Sequence, residues 1–176
     1  MKNNIKLLLL ILLSLILNII WEFAHSSLYI DMSGIPPVQH LLLASFTDAF
    51  ILLVIFALIS LMHKSVKWIS LPSKLDYLII FALTISTALI IEIINLNLGR
   101  WTYTSAMPTV FGVGISPLFQ LATTGILSLL ITRIFNNQTK TLNKVTKYQR
   151  IKLIMLNFFI LLLISSNVSF GPIIEI

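Results

Sequence analysis

The chain has 176 residues, 57% of them apolar and only 10% charged, and its mean hydropathy is +0.99. A soluble domain carries about 25% charged residues, so this little charge cannot cover a water-facing surface, and lipid must be the solvent for most of it. The length suits one helical bundle, the lack of cysteine excludes disulfides, thiolate metal sites and cysteine nucleophiles, and the net charge of +6 is distributed as a topology signal rather than as a nucleic-acid surface.

A membrane span needs about 20 mainly apolar residues. Five stretches meet that length, taken in chain order. The first runs from about Leu7 to Tyr29 and the second from about Val38 to Met62. The third covers about Tyr77 to Leu98, the fourth about Ser116 to Phe135, and the fifth about Leu153 to Phe170. Gly34, Pro36 and Pro37 stop the first, Pro72 precedes the third, and Gly171 and Pro172 follow the fifth. The expected fold is an all-α integral membrane bundle forming a single transmembrane domain over 1–176. Its functional core is residues 1–135. A basic connector follows over 136–152, with room for a short surface helix, and 153–170 is an accessory fifth helix.

Lysine and arginine set the direction. Lys2 and Lys6 precede the first span, and Lys64, Lys67 and Lys74 lie between the second and third. Arg133, Lys140, Lys144, Lys147, Arg150 and Lys152 lie around the loop between the fourth and fifth. Those eleven of the twelve basic residues fall in alternate connections, and Arg100 alone lies opposite. The expectation is a multi-pass protein of the cell membrane, a bacterial inner membrane, with its N-terminus cytoplasmic and its C-terminus outside. Its partners would be anionic membrane lipids and a second copy or another membrane protein, with no nucleic acid. A cleaved leader ending near Ala24-His25-Ser26 is the alternative. The apolar run extends to Ile20, however, and Trp21 and Glu22 do not suit the residues before a cleavage site.

Three carboxylates fall inside spans: Glu22, Asp48 and Glu92. An acid at such depth is costly and normally faces a partner or a wet interior. At 1.5 Å per residue, Glu22 and Glu92 lie about 22 Å from the cytoplasmic end, and Asp48 about 15 Å down from the outside. Neighbours three and four apart share a helix face. Ser14, Asn18, Glu22, His25 and Tyr29 therefore form one stripe, and Thr84, Ala88, Glu92 and Asn95 a second. Gln120, Thr124, Ser128 and Thr132 form a third, while Ser45 shares a face with Asp48. The plain reading of the hydroxyls is interhelical hydrogen bonding, about 0.6 kcal/mol each; it suits Ser14, Ser45, Thr84, Thr124 and Ser128. It suits the acids less well.

Between the third and fourth spans the sequence is LGRWTYTSAMPTVFGVGISP. Trp101 and Tyr103 fit an interfacial belt, and Gly112, Gly114 and Pro117 imply a tightly turned or re-entrant cap. Gly-Val-Gly here lacks the lysine-serine pair and the preceding strand of a phosphate loop. Arg100 is placed to reach Glu92 or Glu22, or to grip a phosphate or carboxylate.

Glu22 and His25 make one Glu-x-x-His half-motif of a di-iron bundle, but Glu92 is followed at the same spacing by Asn95. No resident metal and no cofactor is therefore expected. Serine catalysis lacks its Gly-x-Ser-x-Gly setting. Acid–base chemistry is the stronger reading, with Glu22 and Glu92 as acid and base. Arg100, Asp48, His25, Tyr103, Trp101 and Gln120 would line a pocket toward the outer leaflet. The expected function is a membrane-embedded enzyme acting on a lipid or isoprenoid. The alternatives are a small proton- or ion-coupled transporter and a non-catalytic partner subunit.

A set of residues carries a likeness. Trp21-Glu22-Phe23 with Leu28-Tyr29, Ala44-Ser45 with Asp48, and Glu92 belong to it. So do Gly99-Arg100-Trp101 with Tyr103, Met107-Pro108, Gly112-Val113-Gly114, and Ser116-Pro117-Leu118 with Gln120. Together they resemble a group of uncharacterised small bacterial multi-pass membrane proteins over about the first 125 residues. The resemblance implies the topology and no activity. It also implies glutamine where this chain has His25, so His25 would not be an obligatory base. A fainter likeness, over about 30 residues, joins Glu92, Gly99 to Tyr103 and Pro108 to the membrane-embedded carotenoid hydratases. That likeness would imply water addition to a polyprenyl chain.

Overall fold

The structure is a computed structural model that describes residues 3–142. The compact unit that carries the site is Met1–Asn136; Asn137–Ile176 groups separately. The expected fifth helix lies outside the described residues.

Four α-helices dominate: α1 (Asn3–His25), α2 (Pro37–Met62), α3 (Lys74–Asn97) and α4 (Ile115–Leu142). All four are long and apolar enough to cross a membrane, over Asn4–Leu28, Pro37–Met62, Lys74–Asn97 and Ile115–Asn136. α4 runs on to Leu142, so the first residues of the expected 136–152 connector are helical.

Local chemistry sets the helix ends. Pro36 and Pro37 open α2, where a proline at the first helical position loses no hydrogen bond. Ser73 and Asp76 form a reciprocal capping box at the start of α3. Gly99, at φ +64, ends α3 with a Schellman motif: Arg100 N–H bonds to Asn95 C=O and Gly99 N–H to Leu96 C=O. α2 ends the same way, Ser65 to Ser60 and Lys64 to Leu61, with Lys64 in the left-handed region at φ +50.

The bundle is sorted in the sense lipid demands. On α1, Leu8, Leu12, Ile16 and Ile20 are exposed, whereas Ser14, Asn18, Glu22 and His25 are buried. The half of the bundle that holds Trp68, expected to be the inner one, is closed by packing. Leu10, Leu52, Phe56, Ile59, Ile80 and Leu129 form its apolar core. A 3₁₀ segment (Val66–Ser70) folds Trp68 beneath it, stacked on His63 and bonded to Ser60 Oγ at 2.8 Å. Lys6 Nζ donates to Ser70 Oγ at 2.7 Å and ties α1 to that segment.

The end of the bundle away from Trp68, expected from the lysine and arginine placement to be the outer one, carries two small antiparallel ribbons. β1 (Tyr29–Asp31) pairs with β2 (Trp101–Tyr103) in the register Tyr29 to Tyr103 and Asp31 to Trp101. β3 (Thr109–Val110) pairs with β4 (Val113–Gly114). Phe111 and Gly112, at φ +51 and +79, make the two-residue turn between them. Positive φ at both central positions is the type I′ signature that matches strand twist. The tightly turned cap is thus a hairpin.

α4 lies so close to α2 that a Cβ at Gly125 would stand 2.8 Å from Leu52 Cδ2. Gly125→Leu is expected to lower stability by about 1–3 kcal/mol through overpacking. Leu52→Ala in the same chain should return part of that loss, because the new side chain fills the vacated space. Thermal melting in detergent of the two single variants and the double variant measures this; strictly additive losses would contradict the contact.

Candidate functional site

Two polar clusters form near the outer end of the bundle. The first is built on Gln120, in the first turns of α4. Its side-chain Nε2 donates to Glu22 Oε1 and to Asp48 Oδ2, both at 2.6 Å, and faces Asn18 Oδ1 at 3.4 Å. Glu22 and Asp48 are themselves within hydrogen-bonding reach of one another. One amide thus gathers two carboxyl groups from two different helices. Asn18 is fixed by Thr124 Oγ1 at 3.1 Å and donates to Ser14 C=O at 2.8 Å.

His25 extends this cluster toward the surface. Its Nε2 lies 3.4 Å from Glu22 Oε2 and its Nδ1 lies 3.0 Å from Ser116 Oγ. In the neutral ring one nitrogen donates and the other accepts. With Nε2–H facing Glu22, Nδ1 accepts the Ser116 proton, which gives an unbroken series Ser116, His25, Glu22, Asp48. Glu22 and His25 are buried, whereas Asp48 is partly exposed.

The second cluster surrounds Glu92. Tyr103 O–H donates to Oε2 at 2.5 Å, Trp101 Nε1–H to Oε2 at 3.3 Å, and Tyr29 O–H to Oε1 at 3.4 Å. Gly114 N–H donates to the Tyr103 hydroxyl at 2.9 Å. Burial, and then the nearby Glu92 carboxylate, push the Tyr29 phenol up well beyond its ordinary range. Burial and the hydrogen bond to Glu92 do the same for Tyr103. Both hydroxyls therefore remain donors throughout the physiological range. The ring of Tyr29 bridges the clusters, 5.2 Å from His25 and 5.5 Å from Tyr103 between centroids.

Several expectations change. Glu22 and Glu92 were expected to be partners; no hydrogen bond joins them, and the acid beside Glu22 is Asp48. The reason is that α2 and α4, not α3, present their polar faces to Glu22. Arg100 touches neither acid: it is exposed, and its Nη1 donates to Asn95 Oδ1 at 2.9 Å. The Schellman turn at Gly99 directs the chain outward there, leaving tyrosine and tryptophan to face Glu92. Trp101 and Tyr103 are thus carboxylate ligands as well as interfacial rings.

The hydroxyls also differ from expectation. Ser14, Ser45, Thr84, Thr124 and Ser128 each donate to the carbonyl four residues back in their own helix. Thr124 alone of these five also reaches another helix. Sequence reasoning left Tyr29, Asn18 and Ser116 out of the site. The first two lie on the Glu22 stripe, so the helical period held the signal; the Ser116 contact depends on tertiary placement. Compared with protein-family models, curated proteins and solved structures, the chain matches none.

The β1–β2 ribbon has a second fastening. His40 Nδ1, in the first turn of α2, lies 2.5 Å from Asp31 Oδ2, and Ser33 N–H donates to Asp31 Oδ1 at 2.8 Å. Burial alone would raise the Asp31 pKa, but the bonds from Ser33 and His40 outweigh it and hold the carboxyl below its ordinary value. A depressed folded-state value gives stability that is present above the unfolded value, near 3.9, and lost as pH falls through the folded one. Acid titration of tryptophan fluorescence should show loosening below about pH 4 in the native chain. Asp31→Asn should flatten that limb; superimposable titrations would refute the assignment.

Proposed function

We propose that this protein is a membrane-embedded enzyme that performs acid–base chemistry on a lipid or isoprenoid from the outer-leaflet side. The observation that carries this reading is the Glu22–Asp48 carboxyl pair, held by one amide in the hydrocarbon region. A structural pair there would be a poor investment, since buried ion pairs and acids seldom add stability. A shared proton between two carboxyls is instead a working acid and base.

The chemistry follows from the arrangement. The protonated member gives its proton to one atom of the substrate, and the other removes a proton from a neighbouring position. The pair ends with one proton, as it began. An isomerisation of this kind needs no co-reactant, and a hydration consumes one water. Gln120 keeps the two carboxyls in register, and Ser116 and His25 exchange their proton with the outer side. Glu92, with three donors around it, anchors the β1–β2 ribbon over the site and places Tyr29 between the clusters. Arg100, exposed at the same end, is free of the acids and suits an anionic headgroup. Membrane lipids are the proposed partners.

Five spans with a cytoplasmic N-terminus are part of this proposal, supported by the alternate placement of lysine and arginine. The chain has no cysteine, so single introduced thiols report sidedness. Phe111→Cys should react with an impermeant maleimide in intact cells, and Lys67→Cys only after permeabilisation. The reverse pattern would invert the topology.

Lipid extracts of four strains test the activity: a deletion, and the deletion restored with the native chain, with Asp48→Asn or with Glu92→Gln at matched membrane levels. A lipid species should accumulate in the deletion, disappear with the native chain and persist with Asp48→Asn, since loss of a general acid or base costs about 10²–10⁴-fold. Glu92→Gln should act more mildly, because an amide still accepts hydrogen bonds. Identical profiles in all four strains would set the enzyme reading aside in favour of transport or a partner subunit.

A further inference from the structure

Serine chemistry lacks its usual sequence setting in this chain, yet the structure gives Ser116 the partners that such chemistry needs. Ser116 Oγ lies 3.0 Å from His25 Nδ1, and His25 Nε2 lies 3.4 Å from Glu22 Oε2. The other oxygen of Glu22 accepts from Gln120 Nε2 at 2.6 Å, which fixes the carboxyl. Hydroxyl, imidazole and orienting carboxyl thus stand in line. Such a constellation is recognised by geometry and roles rather than by sequence position. The 3.4 Å contact is long, and contacts of this kind tighten once substrate is bound. His25 and Glu22 are 8% and 9% exposed, whereas Ser116 is half-buried. Of the three, the hydroxyl is the one open to an incoming molecule.

The backbone also presents Ser116. β4 ends at Gly114 and α4 begins at Ile115, so the serine stands just past a sharp strand-to-helix turn, the kind of turn that holds a nucleophile clear of both elements. A Cβ on Gly114 would lie 3.0 Å from Met107 Sδ and 3.1 Å from two carbons of the Pro117 ring. Glycine lets the turn close without displacing them, and Ile115 N–H pins it to Pro108 C=O at 2.9 Å. Pro117 brings no N–H. A developing oxyanion therefore falls to the other first-turn amides of α4, at the positive end of the helix dipole. Ser116 is the second residue of the apolar span Ile115–Asn136. That depth is the border between hydrocarbon core and polar interface, the level of lipid acyl esters.

We propose that Ser116 is a nucleophile that takes an acyl group from a lipid ester. Its Oγ bonds to the ester carbonyl carbon while its proton passes to His25 Nδ1. The bond from that carbon to the leaving oxygen then breaks, and His25 gives the proton to the departing alcohol. The acyl group stays on Ser116. Water or a second alcohol attacks it next, and its proton returns through His25 to Oγ as a fatty acid or a new ester leaves. Glu22 is a positioning residue here, holding the imidazole with Nε2–H toward itself. The inference goes beyond the acid–base reading, because it uses Glu22 and has no need of Asp48.

The test treats the full chain in detergent with a fluorophosphonate, which phosphonylates activated serine hydroxyls, and locates the adduct by peptide mass spectrometry. The native chain and Asp48→Asn should be labelled at Ser116, and Ser116→Ala should carry no adduct. In His25→Gln the rate should fall by about 10²-fold or more. A native chain that melts cooperatively yet stays unlabelled at Ser116 would overturn the proposal, as would equal rates with and without His25. Should His25→Gln not fold, Ser116→Cys replaces it, since the chain has no other thiol. Its alkylation by iodoacetamide should titrate about one unit or more below the ordinary thiol value of about 8.5. An ordinary thiol titration would show Ser116 to be a structural hydroxyl. Vesicles of ester-linked phosphatidylethanolamine should slow the labelling several-fold relative to vesicles of its ether-linked counterpart; equal rates would overturn the lipid-ester assignment. The two readings fail separately. No label at Ser116, with lipid extracts altered by Asp48→Asn, leaves the acid–base reading alone. A label at Ser116, with extracts altered by Ser116→Ala and not by Asp48→Asn, leaves acyl transfer alone.

Discussion

The carboxamide of Gln120 is the polar contact on which the outer half of this bundle depends. It joins α4 to α1 through Glu22 and to α2 through Asp48, both at 2.6 Å. In hydrocarbon an unpaired donor or acceptor costs several kcal/mol. Each of the three side chains therefore requires the other two, and the three helices share one register at that level. No apolar contact gives a comparable constraint, because helix surfaces and lipid tails are alike in polarity.

The outer cap answers to the same logic. Glu92 would be an expensive residue on α3 were it not met by Tyr29, Tyr103 and Trp101 from the β1–β2 ribbon. The ribbon in turn is too short to persist unaided. It is held by Glu92 on one side and by Asp31 with His40 on the other. The acid is stabilised by the cap, and the cap is positioned by the acid. Tyr29 belongs to both structures, since its ring also touches His25, and so the cap and the carboxyl pair are mechanically joined.

Much of this was legible in the residues alone. The first four spans were readable to within a few residues, because twenty apolar positions bounded by proline and glycine leave little freedom. The inward stripes were readable as well: Asn18, Glu22 and His25, or Gln120 and Thr124, recur at helical spacing and are buried together. What the period cannot state is which helix faces which. Glu22 and Glu92 lie at equal depth and invite pairing, yet Glu22 meets Asp48. Arg100 is a charge near two acids in sequence terms, yet a glycine at φ +64 turns it away. Tyr29 reads as the end of a span, and only the strand pairing with Tyr103 shows it to bridge the two clusters.

Thr124, Ser128 and Thr132 each give their proton to the carbonyl one turn back in α4, and Ser14, Ser45 and Thr84 do the same in their own helices. Apart from the Thr124 link to Asn18, these hydroxyls act as small, self-satisfied side chains, not as rivets. Between the carboxyl pair and the far end the helices thus meet mainly through apolar packing, and polar ties return only at that end, where His63 meets Asp76 of α3 and Lys6 of α1 meets Ser70. The bundle is laced at its two rims, with a greased stretch between the laces.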